Sequence, residues 1–100
     1  RGDAVLVDLR EDDQRAAQGE VHPLLQPMVV DRHLLEWRLD PRSETRLPWA
    51  SYDVRVVLLS GDGLSSRQYA EDLRMLGVHR AVDVFGGFRA WVAAGLPVVT

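Results

Sequence analysis

The sequence predicts an α/β domain of three layers, a twisted parallel sheet with helices on both faces. Three observations predict it. Strand-like and helix-like segments alternate along the chain. The best strand candidates, AVLVD at 4–8 and VVLL at 56–59, are apolar at nearly every position, as strands covered on both faces are. The 100 residues, 46% of them hydrophobic, suffice for one core without disulfides.

The elements follow in order. AVLVD is rich in branched residues and reads as a buried strand. EDDQRAAQ places carboxylates in a first helical turn, where the helix dipole favours them, and Gly19 ends that helix. The prolines at 23 and 27 make the start of VHPLLQPMVV a loop, and residues 28–30 form a second strand. DRHLLEWRLD carries apolar residues at 34, 35, 37 and 39, the pattern of a short helix. PRSETRLPWASYD is a polar loop punctuated by proline. Val54–Leu59 is the strongest strand. Ser65 or Ser66 caps the next helix, whose apolar residues Tyr69, Leu73 and Leu76 recur every three or four positions until Gly77. AVDVF at 81–85 is another strand. Gly86-Gly87 turns into the helix FRAWVAA, which Gly95 and Pro97 end, and VVT is left as a tail. The expected frame is parallel strands at 4–8, 55–59 and 81–85 with helices near 66–76 and 87–94, all in one domain spanning 1–100.

Composition narrows the function. The net charge is −3 with both signs interspersed, unlike the basic patch of a nucleic-acid binder. All 12 basic residues are arginine, which reads as base composition of the coding sequence. No apolar run approaches the roughly 20 residues that span a membrane, and RGDAVLVDLR lacks the apolar region of a signal peptide. A cytoplasmic location is expected. The absence of cysteine removes disulfides, thiolate metal sites and every cysteine nucleophile. Neither metal nor cofactor is expected.

In parallel sheets, ligands sit beyond the C-terminal ends of the strands. That rule selects Asp8-Leu9-Arg10 and the loop of residues 60–66: Ser60, Gly61, Asp62, Gly63, Leu64, Ser65 and Ser66. Gly61 and Gly63 permit positive φ, so that successive amides can face one concavity, helped by the start of a helix. A cysteine at position 60 would have its pKa lowered in that field. A serine there needs a general base, and His22, His33 and His79 lie on three separate segments. The nucleophile-elbow pattern fails, because Leu58 and Asp62 stand where glycines belong. Gly61-Asp62-Gly63-Leu64-Ser65-Ser66, with Asp83 about twenty residues on, matches a dinucleotide fingerprint except at its last glycine. A Walker A loop is excluded by the lack of lysine.

Several motifs then converge on a resemblance. VLVDLRED at 5–12, Gly19-Glu20-Val21, VVLLSGDGLSSRQYAEDLRMLGV and above all VDVFGGFRAWVAAGLPV resemble the motifs of rhodanese-like domains, over nearly the whole chain. DRHLLEWRLDP resembles small single-domain members common in actinobacteria. The resemblance implies sulfane-sulfur transfer, in which a loop cysteine accepts sulfur as a persulfide and passes it to a thiol or cyanide. A related branch hydrolyses phosphate esters with a longer loop ending in arginine.

The sequence departs from that pattern at Ser60, which stands at the cysteine position, and a hydroxyl cannot carry a persulfide. The phosphatase spacing fails too, since Ser66 stands where the arginine is required and Arg67 comes one place late. The family's Pro-Gly-Ala is replaced by the longer HPLLQPM. No loop side chain is basic, so an anion would be held by the amides of residues 61–66, against Asp62. Asp8, Arg10 and Arg67 are candidate supporting residues: Asp8 as holder of the loop backbone or plain strand-end cap, Arg10 as partner of an acidic group across the site or as a surface arginine. Trp37 and Trp91 are expected in the core, and Trp49 on a partner surface. The leading expectation is a binding or regulatory module without sulfurtransferase activity. The alternatives are a sulfurtransferase whose cysteine was replaced by Ser60 and a small-anion-binding domain using loop 60–66. The expected partner is a small anion or another protein, with neither nucleic acid nor membrane.

Overall fold

A computed structural model describes residues 4–99. Four parallel strands form one sheet in the order β3-β1-β4-β5: β1 (Ala4–Asp8), β3 (Met28–Val29), β4 (Arg55–Leu59) and β5 (Ala81–Asp83). β1 pairs with β4 along its whole length, from Ala4 opposite Arg55 to Asp8 opposite Leu59. β4 and β5 pair with Val56 opposite Ala81, so the three strands read from sequence are parallel neighbours.

Apolar residues on both sides of the strands divide the core in two. Val7, Val56 and Leu58 pack with Leu35 and Leu39 of α2 (Leu35–Leu39) and with Ala70 and Leu73 of α3 (Leu64–Met75). Leu59 packs on the other side with Phe88 of α4 (Gly87–Ala93) and Val21, joined by Leu6 and Trp91. Each large apolar side chain so buried contributes roughly 1.5–3 kcal/mol relative to exposure. α1 (Asp12–Gln18) buries none of its residues; a reciprocal capping box between Glu11 and Gln14 holds its start, and Gly19 at φ 95° ends it.

Several expectations are corrected. VVT is not an unpaired tail: β6 (Val98–Val99) pairs antiparallel with β2 (Glu20–Val21), while Thr100 lies outside the described residues. Such two-residue strands are too short to show periodicity. The segment at 31–40 begins with a 3-10 turn, Arg32–Leu34, capped by Asp31, before α2. Neither Ser65 nor Ser66 caps α3: the helix starts earlier, behind Gly63, because Asp62 Oδ1 accepts from the Leu64 amide and Ser66 is turned inward. Trp37 is 66% exposed, contrary to the core place expected of it, whereas Trp49 is partly buried against the larger core cluster. Helical spacing places Trp37 on a face, but the core is already closed there by Leu35 and Leu39. Among the described residues no helix is long and apolar enough to cross a membrane.

Candidate functional site

The chain leaves β1 toward β3 on one side and later adds β4 on the other, so the strand order reverses between β1 and β4. The crevice beyond such a reversal is where open α/β sheets take ligands. Asp8 ends β1 and Leu59 ends β4 there, tied by the Leu9 amide donating to the Leu59 carbonyl at 2.8 Å. Arg10 and Ser60 therefore lie at the same mouth. A cleft of about 270 Å³ is lined by both, together with Gly61, Asp62 and Ser65 of the loop, Gln14 and Gln18 of α1, Leu9, Arg32 and Arg89.

Ser60 is buried, 6% exposed, and its hydroxyl is fully engaged. Its Oγ accepts from the amides of Gly63 at 3.0 Å and Ser66 at 3.3 Å. It donates to Ser66 Oγ at 3.0 Å, and that hydroxyl donates onward to the Gly63 carbonyl at 3.4 Å. A serine hydroxyl has one hydrogen and two lone pairs, so nothing is left for a base or an electrophile. Gly63 makes this turn with φ 89°. Gly61 is not in the left-handed region, contrary to expectation; its place is constrained instead by Gln14, whose Nε2 would stand 3.2 Å from a Cβ there.

The start of α4 holds the loop from beneath. The Phe88 amide donates to the Ser60 carbonyl at 2.7 Å and the Arg89 amide to the Gly61 carbonyl at 3.2 Å. This approach needs Gly87: a Cβ on it would lie 2.4 Å from the Ser60 carbonyl oxygen and 2.5 Å from the Gly63 nitrogen. The Gly-Gly turn legible in the sequence is thus the seat of the loop.

Asp8 and Arg10 form a buried pair. Asp8 Oδ1 accepts from the Arg10 amide at 3.0 Å and from its Nε at 3.1 Å, and Oδ2 accepts from Nη2 at 2.9 Å. The Arg10 side chain is fully covered, donates through Nη1 to Gln18 Oε1 at 3.3 Å, and stacks 3.8 Å from the centroid of the Phe88 ring. The surface-arginine reading is overturned, and the partner is the carboxylate two residues away rather than one across the site. Asp8 acts on the strand end and on Arg10, and Arg10 in turn wedges α1 and α4 together.

Two further expectations change. The amides of Gly63, Leu64 and Ser66 are already taken by Ser60 and Asp62, which removes half of the supposed anion nest. The cleft is nevertheless basic, because Arg89 and Arg32 reach it from other segments, a convergence invisible in the loop's own sequence. Arg67 is exposed on α3 and is not among the lining residues, nor is Asp83. HPLLQPM lines clefts elsewhere and leaves the Ser60 loop undisturbed. The three histidines are apart: His22 accepts from the Leu24 amide, His33 meets Asp31, and His79 meets Asp53. None lines the Ser60 cleft. Among the described residues no group of histidine and carboxylate side chains is arranged to hold a metal. The Asp31 carboxyl is held below its ordinary value of 3.8, chiefly by the His33 amide that it accepts from.

This architecture is the rhodanese-like fold. A rhodanese-like domain from Anabaena superposes with a TM-score of 0.74 at 18% identity, over 97% of this chain and 99% of that one. A rhodanese-related protein from Thermoplasma volcanium gives 0.71 at 23% identity, over 98% and 85%. A protein of unknown function from Rhodopseudomonas palustris CGA009, called a possible tyrosine phosphatase, gives 0.84 at 29% identity, over 96% and 70%. No protein-family model and no curated protein matches the chain.

Proposed function

We propose that this rhodanese-like domain does not transfer sulfur and serves as a binding module whose site is the Ser60 cleft. One observation carries the reading: the only side chain at the nucleophile position is a hydroxyl with every hydrogen-bonding capacity spent inside the loop. It has neither the thiolate that sulfur transfer requires nor a base to activate it. The phosphatase activity suggested for the Rhodopseudomonas relative fits poorly for the same reason, and because Arg67 points its charge to solvent rather than lining the cleft.

The walls of the cleft support a second, compatible reading as a subsite for a small anion. They present the guanidinium of Arg89 and the amide group of Gln14, whose Oε1 is already engaged by the Glu11 amide, so that its Nε2 is the free end. Arg32 also lines the cleft, although it is shared with Glu11 at 3.3 Å. The test has two arms. Incubation of the unmodified chain with thiosulfate or mercaptopyruvate and cyanide should yield no thiocyanate; turnover would overturn the non-catalytic reading. Titration with sulfate, phosphate or thiosulfate should shift the amide resonances of Gly61 and Asp62 and the Arg89 side chain, and shifts confined to other surfaces would overturn the anion subsite.

A further inference from the structure

The seam where the Ser60 loop meets the turn before α4 carries an apolar pair that the fold leaves uncovered. The two backbones touch: a Cβ on Gly63 would stand 2.7 Å from the Gly86 nitrogen. Leu64 and Phe85 flank this contact, 70% and 92% exposed. Single exposed apolar side chains are ordinary, but two on adjoining backbones at the rim of a polar cleft have the composition of an interaction surface. Two arginines without side-chain partners stand near them. Arg89 lines the cleft, and its guanidinium has no hydrogen-bond or ion-pair partner among the described residues. Arg67 follows Leu64 by three positions, hence on the same side of α3, and is likewise without a side-chain partner there. Asp62 is the one carboxylate in the loop, and it is engaged by the Leu64 amide.

We propose that this rim docks a short acidic, apolar segment of a partner protein. A carboxylate of the segment enters the cleft toward Arg89, and a neighbouring apolar side chain covers Leu64 and Phe85. Charge complementarity argues for that occupant: a guanidinium fork pairs with a carboxylate through two parallel hydrogen bonds, and two such forks flanking an apolar pair select acid next to hydrocarbon. The inference deepens the binding-module reading of the same site and rests on it.

The test is selection of a random-peptide display library on the full chain, followed by anisotropy titration of the best synthetic peptide. Selected peptides should combine Asp or Glu with Leu or Phe. Their affinity should fall by about tenfold or more in Phe85→Ser and in Arg89→Glu, the loss expected when one central contact is removed. It should be unchanged in Trp37→Ser, which alters an exposed residue on α2. All three positions are exposed, and equal melting temperatures would show that the variants fold. Enrichment of basic peptides, binding indifferent to Phe85→Ser and Arg89→Glu, or no enrichment at all would overturn the docking proposal. None of these outcomes touches the non-catalytic reading, which fails separately if the unmodified chain forms thiocyanate.

Discussion

Replacing Gly87 with alanine tests whether the turn before α4 seats the Ser60 loop. The new Cβ would meet the Ser60 carbonyl oxygen at 2.4 Å, where ordinary contact begins at 3.4 Å, so the loop must retreat by about 1 Å. The obstruction is backbone, so no side-chain rotation relieves it. A retreat of that size breaks the 2.7 Å bond from the Phe88 amide and the 3.2 Å bond from the Arg89 amide. Each such bond contributes about 1 kcal/mol net. Holding alanine at φ 66° adds about 1–2 kcal/mol. The sum is about 3–4 kcal/mol, a large part of the roughly 5–15 kcal/mol that stabilises a domain. At about 4–8 °C per kcal/mol, the melting temperature should fall by about 12–32 °C. Gly95→Ala is the matched control. It has φ 75° and nothing within 4 Å of a new Cβ, so only the backbone cost remains, about 1–2 kcal/mol. Thermal unfolding followed by circular dichroism measures both. If Gly87→Ala melts no lower than Gly95→Ala, the turn does not seat the loop and the steric argument is wrong.

Other expectations follow from the same geometry. Ser60→Cys should place sulfur where the Gly63 and Ser66 amides converge, lowering the thiol pKa below the roughly 8.5 of free cysteine; alkylation rate against pH reads it, and a rate profile centred at or above the free value would refute it. The same variant should gain the mass of one sulfur atom from a persulfide donor, detected by intact-mass spectrometry. Arg10→Met should cost about 3–5 kcal/mol in urea unfolding, because Asp8, only 2% exposed, would be left buried without its guanidinium partner; a loss under about 1 kcal/mol would show that the pair is not needed. The lowered pKa of Asp31 makes the charged carboxylate stabilising above its unfolded value of 3.8, with that contribution lost as pH falls through the lower folded value. The stability difference between the unmodified chain and Asp31→Ala should therefore be present above the unfolded value of 3.8 and shrink in more acid solution. A difference that widens toward acid would contradict the assignment.

The parallel sheet was legible in the sequence because strands covered on both faces must be apolar throughout, and VLV at 5–7 and VVLL at 56–59 could be little else. The absence of any thiol was legible for a simpler reason: the sequence has no cysteine, and no fold turns the Ser60 hydroxyl into one. The placement of the Gly-Gly turn was readable as a turn, but not as the surface on which the Ser60 loop rests. Contacts between segments remote in sequence carry no periodicity. Hence β2 and β6, Arg89 and Gln14 at the cleft, and the stacking of Arg10 on Phe88 came only from tertiary structure. The exposure of Trp37 has the same cause, since helical spacing assigns a side chain to a face while the neighbouring layers decide whether that face is covered. Residue chemistry and local pattern determined the frame and the lack of any thiol; the closing of distant segments around β1 and β4 decided the charge of the cleft and what remains exposed at its rim.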